Sequence, residues 1–311
     1  MSQEQEFDRR AIAAIARGRS MDEFVSWRDI NYERVARLGD GGIGQVFHAL
    51  AKNGPNKGVL FAVKVFCPDS KEKEDWKRSF MREVHVLRDC NHPAIVKVYD
   101  EGMLADGRPF FVMEYLPKTL WDAMKEGTLG DVEKISIVMQ LLSALDYLSR
   151  RDPYVVHRDI KPKNIFLKSE TWVLGDFGLV FQDVGASITD QAKGGGVIPE
   201  MAQMYRTPEL VEYYVSGAPP PAVSDVFQLG LVAAELFTGE NPLVHAGPKA
   251  PVKIRPLAAL SSVDAGNTIR ETIRSRLEEM LVIETENRHQ ANVLLPRWIE
   301  LYSAWRQQRG R

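Results

Sequence analysis

Hydrophobic and polar positions change rhythm twice along the chain. Residues 7 to 17 place Ala11, Ile12, Ile15 and Ala16 on one helical face, with Gly18 as a stop. Ser20 followed by Glu23 fits a capping box, so a second short helix is expected to begin there. From Tyr32 the pattern turns to short β-rich runs, Tyr32 to Arg37, Gly44 to Leu50 and Gly58 to Phe66, separated by Gly, Asn and Pro, as antiparallel strands and turns would be. Trp76, Phe80, Val84 and Leu87 then recur at helical spacing, and two more strand-like runs follow, Ile95 to Asp100 and Pro109 to Tyr115. After residue 117 the long periodic segments are helical, most clearly 131 to 150 and 225 to 238. The expected organisation is a helical leader (1–31), a β-rich part with one helix (32–113), a hinge (114–117), a mainly helical part (118–300) and a C-terminal tail (301–311).

Composition narrows the class. The chain of 311 residues is 44% hydrophobic and 26% charged, which disfavours wholesale disorder and a disulfide scaffold. Lys plus Arg number 40 against 42 for Asp plus Glu, leaving a net charge of -2 without the positive field of most nucleic-acid binders. Cys67 and Cys90 stand alone in sequence, which fits a reducing compartment and no C-x-x-C metal or redox site. No apolar run approaches the roughly eighteen residues of a membrane span, and MSQEQEFDRR has neither a secretory pattern nor the Gly of a myristoylation signal. A soluble, cytoplasmic protein with no nucleic-acid or membrane partner is expected.

Leu38-Gly39-Asp40-Gly41-Gly42-Ile43-Gly44-Gln45-Val46 contains G-x-G-x-x-G. Glycines let a backbone approach phosphates and offer its N–H groups, although the pattern alone also describes a hairpin turn. A dinucleotide fold needs a helix directly after the motif and an acidic residue about twenty further on. Here a strand-like run follows, and the residue twenty beyond Gly44 is Lys64. Lys64 ends an apolar strand and in isolation reads as a solvated edge residue. Glu83, nineteen residues on in the helix, offers the carboxylate that would hold such an ammonium against phosphates. His157-Arg158-Asp159-Ile160-Lys161-Pro162-Lys163-Asn164 supplies a candidate base, a cation and a metal-binding amide oxygen, and Asp176-Phe177-Gly178 follows twelve residues beyond Asn164. Each motif alone reads as a solvated loop; all in this order do not.

These motifs resemble those of the eukaryotic-type protein kinases, over about residues 32 to 300. Thr207-Pro208-Glu209 stands where the family has A-P-E, Ser224-Asp225 followed by Gly230 matches its buried aspartate helix, and Asn287-Arg288 matches the arginine that pairs with Glu209. The resemblance implies a two-lobed α+β fold, with a small β-rich lobe carrying one key helix and a larger, mainly helical lobe. It implies ATP beneath Gly39, Gly41 and Gly44, with Lys64 on the α and β phosphates and Glu83 fixing it. Leu38, Val46, Ala62 and Phe166 would enclose the adenine, backbone groups of Glu114 and Leu116 would bond its edge, and Met113 would be the gatekeeper. Asn164 and Asp176 would hold magnesium, for which manganese can substitute. Asp159 would accept the proton of a substrate hydroxyl and Lys161 would stabilise the transferred phosphoryl group. Leu87, His157 and Phe177 match the family's apolar spine, although a plain core predicts the same burial. Lys161 favours a serine or threonine acceptor on a protein.

The chain departs from the family in its loop. The stretch from Asp176 to Glu209 is long, holds Gly194-Gly195-Gly196, and has Ala202 where a threonine usually meets the catalytic aspartate. Arg158 often accompanies activation by loop phosphorylation. Lys193 to Met204 contain no Ser, Thr or Tyr, so Ser187 and Thr189 are the candidate phosphosites, an unmodified loop being the alternative. Residues 1 to 31 are expected to pack on the small lobe and steady the Glu83 helix. Competing readings are a pseudokinase scaffold and a small-molecule phosphotransferase of related fold. Against these stand the full catalytic set and the presence of both the glycine loop and Lys161. The sequence does not give the oligomeric state.

Overall fold

Apolar side chains that alternate along strands, and then recur at helical spacing, build two separate cores. The computed structural model describes residues 23–41, 44–67, 73–182, 204–247, 249–260, 263–264 and 266–309. One unit takes in the described residues up to Asn91 together with Val96–Pro117, and the other takes in His92–Ile95 and everything from Lys118 onward.

The smaller unit holds β1 (Glu23–Val25), β2 (Asn31–Gly41), β3 (Gly44–Ala51), β4 (Leu60–Phe66), α1 (Lys73–Arg88), β5 (Val98–Met103) and β6 (Pro109–Glu114). Its strands form one antiparallel sheet in the order β1-β2-β3-β4-β6-β5. Directly opposed residues share a face. One face carries Phe47, Ala49, Phe61, Val63, Val65, Phe110 and Val112, covered by Phe24, Ile30 and Tyr32 into a single apolar cluster. On the other, Phe66 and Phe111 meet Phe80 of α1 at ring-centroid distances of 5.6 and 5.4 Å. Phe80, Val84 and Leu87 are buried; the side chain of Trp76 lies outside the described residues.

Two expectations are corrected here. Glu23–Val25 is a strand rather than the start of a helix, because it pairs with Asn31–Glu33 and buries Phe24 in the sheet's apolar cluster. The described end of the leader therefore covers the face away from α1. Its link to that helix runs through Glu101, whose carbonyl accepts from the Trp27 N–H at 3.1 Å and whose carboxylate meets Arg88 at 3.4 Å. The strand expected over Ile95 to Asp100 begins at Val98, since Ile95 closes a turn on His92 and bridges Leu174 in the larger unit.

The larger unit contains α2 (Leu120–Glu126), α3 (Asp131–Ser149), β7 (Val155–Val156), a 3₁₀ turn (Pro162–Asn164), β8 (Ile165–Lys168), β9 (Thr171–Leu174) and β10 (Phe181–Gln182). It continues with α4 (Pro208–Ser216), α5 (Val223–Thr238), α6 (Asn267–Met280) and α7 (Ala291–Arg309). Local signals explain several boundaries. Thr119 and Asp122 form a reciprocal capping box before α2, and Gly127 ends it in the left-handed region. Thr207 caps α4, with Pro208 at its first position. Every residue of α5 from Val223 to Phe237 except Glu235 is buried, as expected of a helix surrounded by others. Helix α3 packs against α5 and α7. The expected tail from 301 is instead the last turns of α7, held by buried Leu301 and Trp305.

Candidate active site

In the smaller unit the pairing register lines up the expected nucleotide residues. Val46 opposes Lys64, and Ala62 opposes Met113, so the four share the sheet face on which Phe111 opposes Lys64. Gly39 pairs with Val46, and Gly41 with Gly44, bringing the ends of the glycine motif together at the tip of the β2–β3 hairpin. Gly44 is needed sterically: a Cβ there would lie 2.7 Å from the Val65 carbonyl oxygen, whereas one on Gly39 meets open space. Leu38 sits beside a β-bulge and is 44% exposed. Glu114 ends β6 with its N–H on the Lys97 carbonyl at 3.1 Å, so its amide is not the group that would meet a base. Leu116, three residues past Met113, is half-buried.

Lys64 is buried with Glu83, its Nζ 2.7 and 2.8 Å from the two carboxylate oxygens. The edge-lysine alternative is thereby excluded. Both charges have left water, so each depends on the other.

In the larger unit, β7 delivers His157 and β8 follows the loop that carries Asp159. Asp225 of α5 accepts the N–H of His157 at 2.7 Å and of Arg158 at 2.9 Å. Burial pushes the Asp225 carboxyl up to about 7 while those two N–H groups pull it back. His157 is fully buried. Its Nδ1 accepts the Asp159 N–H at 3.2 Å, which leaves Nε2 to donate to the Gly175 carbonyl at 3.0 Å. Burial lowers this imidazole to about 4, so it is neutral at pH 7. Phe177 packs edge-on against it at 4.5 Å, and the chain turns there through Asp176, whose φ is 56°.

Asp159 Oδ2 accepts from Lys161 Nζ at 2.7 Å and from Asn164 Nδ2 at 2.9 Å. Asn164 Nδ2 also donates to the Asp159 carbonyl at 2.8 Å, which fixes the amide and gives Oδ1 as the atom that could bind a cation. Oδ1 of Asp159 has no hydrogen bond among the described residues. Burial pushes Asp159 up to about 6, opposed by Lys161 and Asn164, so it is mostly ionised at pH 7. The oxygen donors of Asn164 and Asp176 suit magnesium, which keeps waters and phosphate oxygens rather than needing an all-protein cage. The described residues contain no group of three or more His, Cys, Asp or Glu that could hold a metal ion.

Arg158 donates from Nε to the Leu179 carbonyl and lies 4.9 Å from the Tyr213 ring centroid. Ser187, Thr189 and Ala202 lie outside the described residues. Glu209 and Arg288 form a buried ion pair at 2.7 Å, and Thr285 donates to the same carboxylate oxygen at 2.6 Å. Gly178 lies in the turn after Phe177, and Phe166, on β8, bridges Thr119.

A family model described as the protein kinase domain matches residues 32–299. The chain belongs to the protein kinase family. This kinase chain is 31% identical over 230 residues to the serine/threonine-protein kinase PknJ of Mycobacterium tuberculosis, covering 71% of the chain and 36% of PknJ. It is 33% identical over 227 residues to PknB of Mycolicibacterium smegmatis, covering 70% and 34%. A probable serine/threonine-protein kinase of Dictyostelium discoideum is 31% identical over 214 residues, covering 67% and 38%. The matched segment thus spans little more than a third of each relative's length.

Sequence reasoning missed two parts of the kinase's larger unit. Tyr205 donates to Glu235 at 2.6 Å, and Gln228 reaches the two backbone groups that flank Asp159 and the Tyr205 carbonyl. An available signal was the uncharged amide of Gln228 inside the apolar run of α5, since a buried polar side chain needs partners.

Proposed function

We propose that this chain is a serine/threonine protein kinase that transfers the γ-phosphoryl group of magnesium-bound ATP to a protein hydroxyl, with Ser187 or Thr189 of its own loop among the acceptors. The observation that carries the reading is the state of Asp159, a buried carboxylate with Oδ2 engaged by Lys161 and Asn164 and Oδ1 left to an incoming hydroxyl. That hydroxyl gives its proton to Oδ1 while its oxygen bonds the γ-phosphorus; the bond from phosphorus to the β–γ bridging oxygen breaks and ADP departs. Lys161 neutralises charge on the moving phosphoryl group, and Lys64, clamped by Glu83, holds the α and β phosphates. Gly39, Gly41 and Gly44 are assigned to the phosphates, and Leu38, Val46, Ala62, Met113, Glu114 and Leu116 of the smaller unit, with Phe166 of the larger, are assigned to the adenine. Asn164 and Asp176 would hold magnesium, which supplies positive charge to the phosphate oxygens. Lys161 and the names of the relatives support a serine or threonine acceptor. Two cysteines in thiol form support a cytoplasmic setting, and no helix among the described residues is long and apolar enough to cross a membrane.

The test is transfer from labelled ATP with magnesium to the chain itself and to casein, for wild type and Asp159→Asn. A large fall in transfer, to a low but measurable residual rate, is expected in the variant. A nucleotide-dependent rise in melting temperature with no transfer by wild type would instead favour a scaffold. Transfer confined to small hydroxyl compounds would favour a small-molecule phosphotransferase.

A further inference from the structure

Helix α5 presents Asp225 and Gln228 three positions apart, on one face, and both are buried. The Gln228 amide is saturated. Its Oε1 accepts the Ile160 N–H at 2.9 Å, and its Nε2 donates to the Arg158 carbonyl at 3.0 Å and to the Tyr205 carbonyl at 2.9 Å. The Arg158 carbonyl belongs to the peptide plane before Asp159 and the Ile160 N–H to the plane after it. One side chain therefore fixes both planes that set the direction of the Asp159 carboxylate.

The need for such a clamp is visible in the backbone. Arg158 has φ 66°, a left-handed conformation that is strained for a non-glycine residue. Asp225 holds the N–H of this strained residue and Gln228 holds its carbonyl. The third bond reaches Tyr205, whose hydroxyl is anchored on Glu235 and which stands two residues before the N-cap of α4. A side chain one or two atoms long at position 228 would span none of these gaps.

We infer that Gln228 is a positioning residue for phosphoryl transfer, which aims Asp159 by clamping its two flanking peptides and ties that aim to the backbone at Tyr205. The inference rests on the kinase reading above. A displacement of about 1 Å at a reacting group can cost on the order of 100-fold in rate, and that is the loss expected here.

The experiment compares the 311-residue wild type, Gln228→Met, Asp159→Asn and the double variant, with labelled ATP, magnesium and casein. Gln228→Met keeps the volume and removes all three bonds. Its kcat is expected to fall by about 100-fold, with the KM for ATP and the ATP-dependent melting shift preserved. The Gln228 change is expected to cost nothing further in the Asp159→Asn background, because it acts through Asp159; a merely structural loss would multiply there. Wild-type transfer with Gln228→Met within threefold of it overturns the inference alone, as does a loss carried in KM or repeated in full without Asp159. No transfer by wild type overturns the kinase reading, and the inference with it. If Gln228→Met does not fold, Gln228→Glu decides. It keeps an oxygen for Ile160 and loses the amide donors, so a reduced kcat is expected and a wild-type kcat overturns the inference.

Discussion

A single buried imidazole both orders the backbone around it and gives the fold a pH dependence. His157 uses Nδ1 to receive the Asp159 N–H and Nε2–H to reach Gly175, a tautomer that exists only while the ring is neutral. Burial lowers its pKa from 6.5 to about 4. The unfolded chain therefore takes up a proton at this residue before the folded chain does. Its contribution is complete above pH 6.5 and is lost as pH falls towards 4, amounting to about 3 kcal/mol at up to about 1.4 kcal/mol per pH unit. Urea unfolding of wild type and His157→Phe should differ in stability by a constant amount above pH 7. That difference should shrink by most of this value by pH 4.5. A gap that ignores pH would mean the ring titrates normally in the fold. Residues of this kind were largely legible in sequence, because His157, Asp159, Lys161 and Asn164 lie within eight positions and the local chain brings them together. Gln228 was not, since it lies 68 residues beyond Ile160 and only the packing of α5 joins them.

At the scale of elements, the hairpin that carries the glycine motif is constrained by packing on one side and open on the other. Gly44 abuts the Val65 carbonyl, next to Lys64, while Gly39 faces open space. Gly44→Ala must push β3 from β4 and is expected to destabilise the chain by about 1–3 kcal/mol, in the range for overpacking. Gly39→Ala, with room for its methyl group, should stay within about 0.5 kcal/mol. Differential scanning calorimetry of the two variants separates these outcomes, and equal melting temperatures would refute the steric role given to Gly44. Elements with strong periodicity or caps were readable, as at α3 and α5. Three-residue β1 was not: Glu23-Phe24-Val25 is too short to show a period, and what makes it a strand is the pairing with Asn31–Glu33 and the place for Phe24. Pro296 lies within α7; a proline is ordinarily read as a helix boundary, and here buried Trp298, Leu301 and Trp305 carry the helix past it.

For the whole molecule, these corrections converge on the ends of the segment matched as the protein kinase domain, residues 32–299. Cutting there removes Phe24 and Ile30 from the apolar cluster of the smaller unit, and Leu301 and Trp305 from the packed end of α7 in the larger. Each large apolar side chain taken from a core costs on the order of 3 kcal/mol or more once the space it leaves is counted. The two losses fall in different units, so they should add. Against a total stability of about 5–15 kcal/mol for a typical protein, neither end is dispensable. A fragment of residues 23–309 should therefore melt cooperatively. Fragments 32–309 and 23–299 should each melt lower, and 32–299 should be the least stable, failing to give a cooperative transition. Thermal melts of the four fragments check the order. If 32–299 melts with 23–309, then Phe24, Ile30, Leu301 and Trp305 are buried without supporting the fold, and the strand β1 and the last turns of α7 are coverings rather than parts of the two cores.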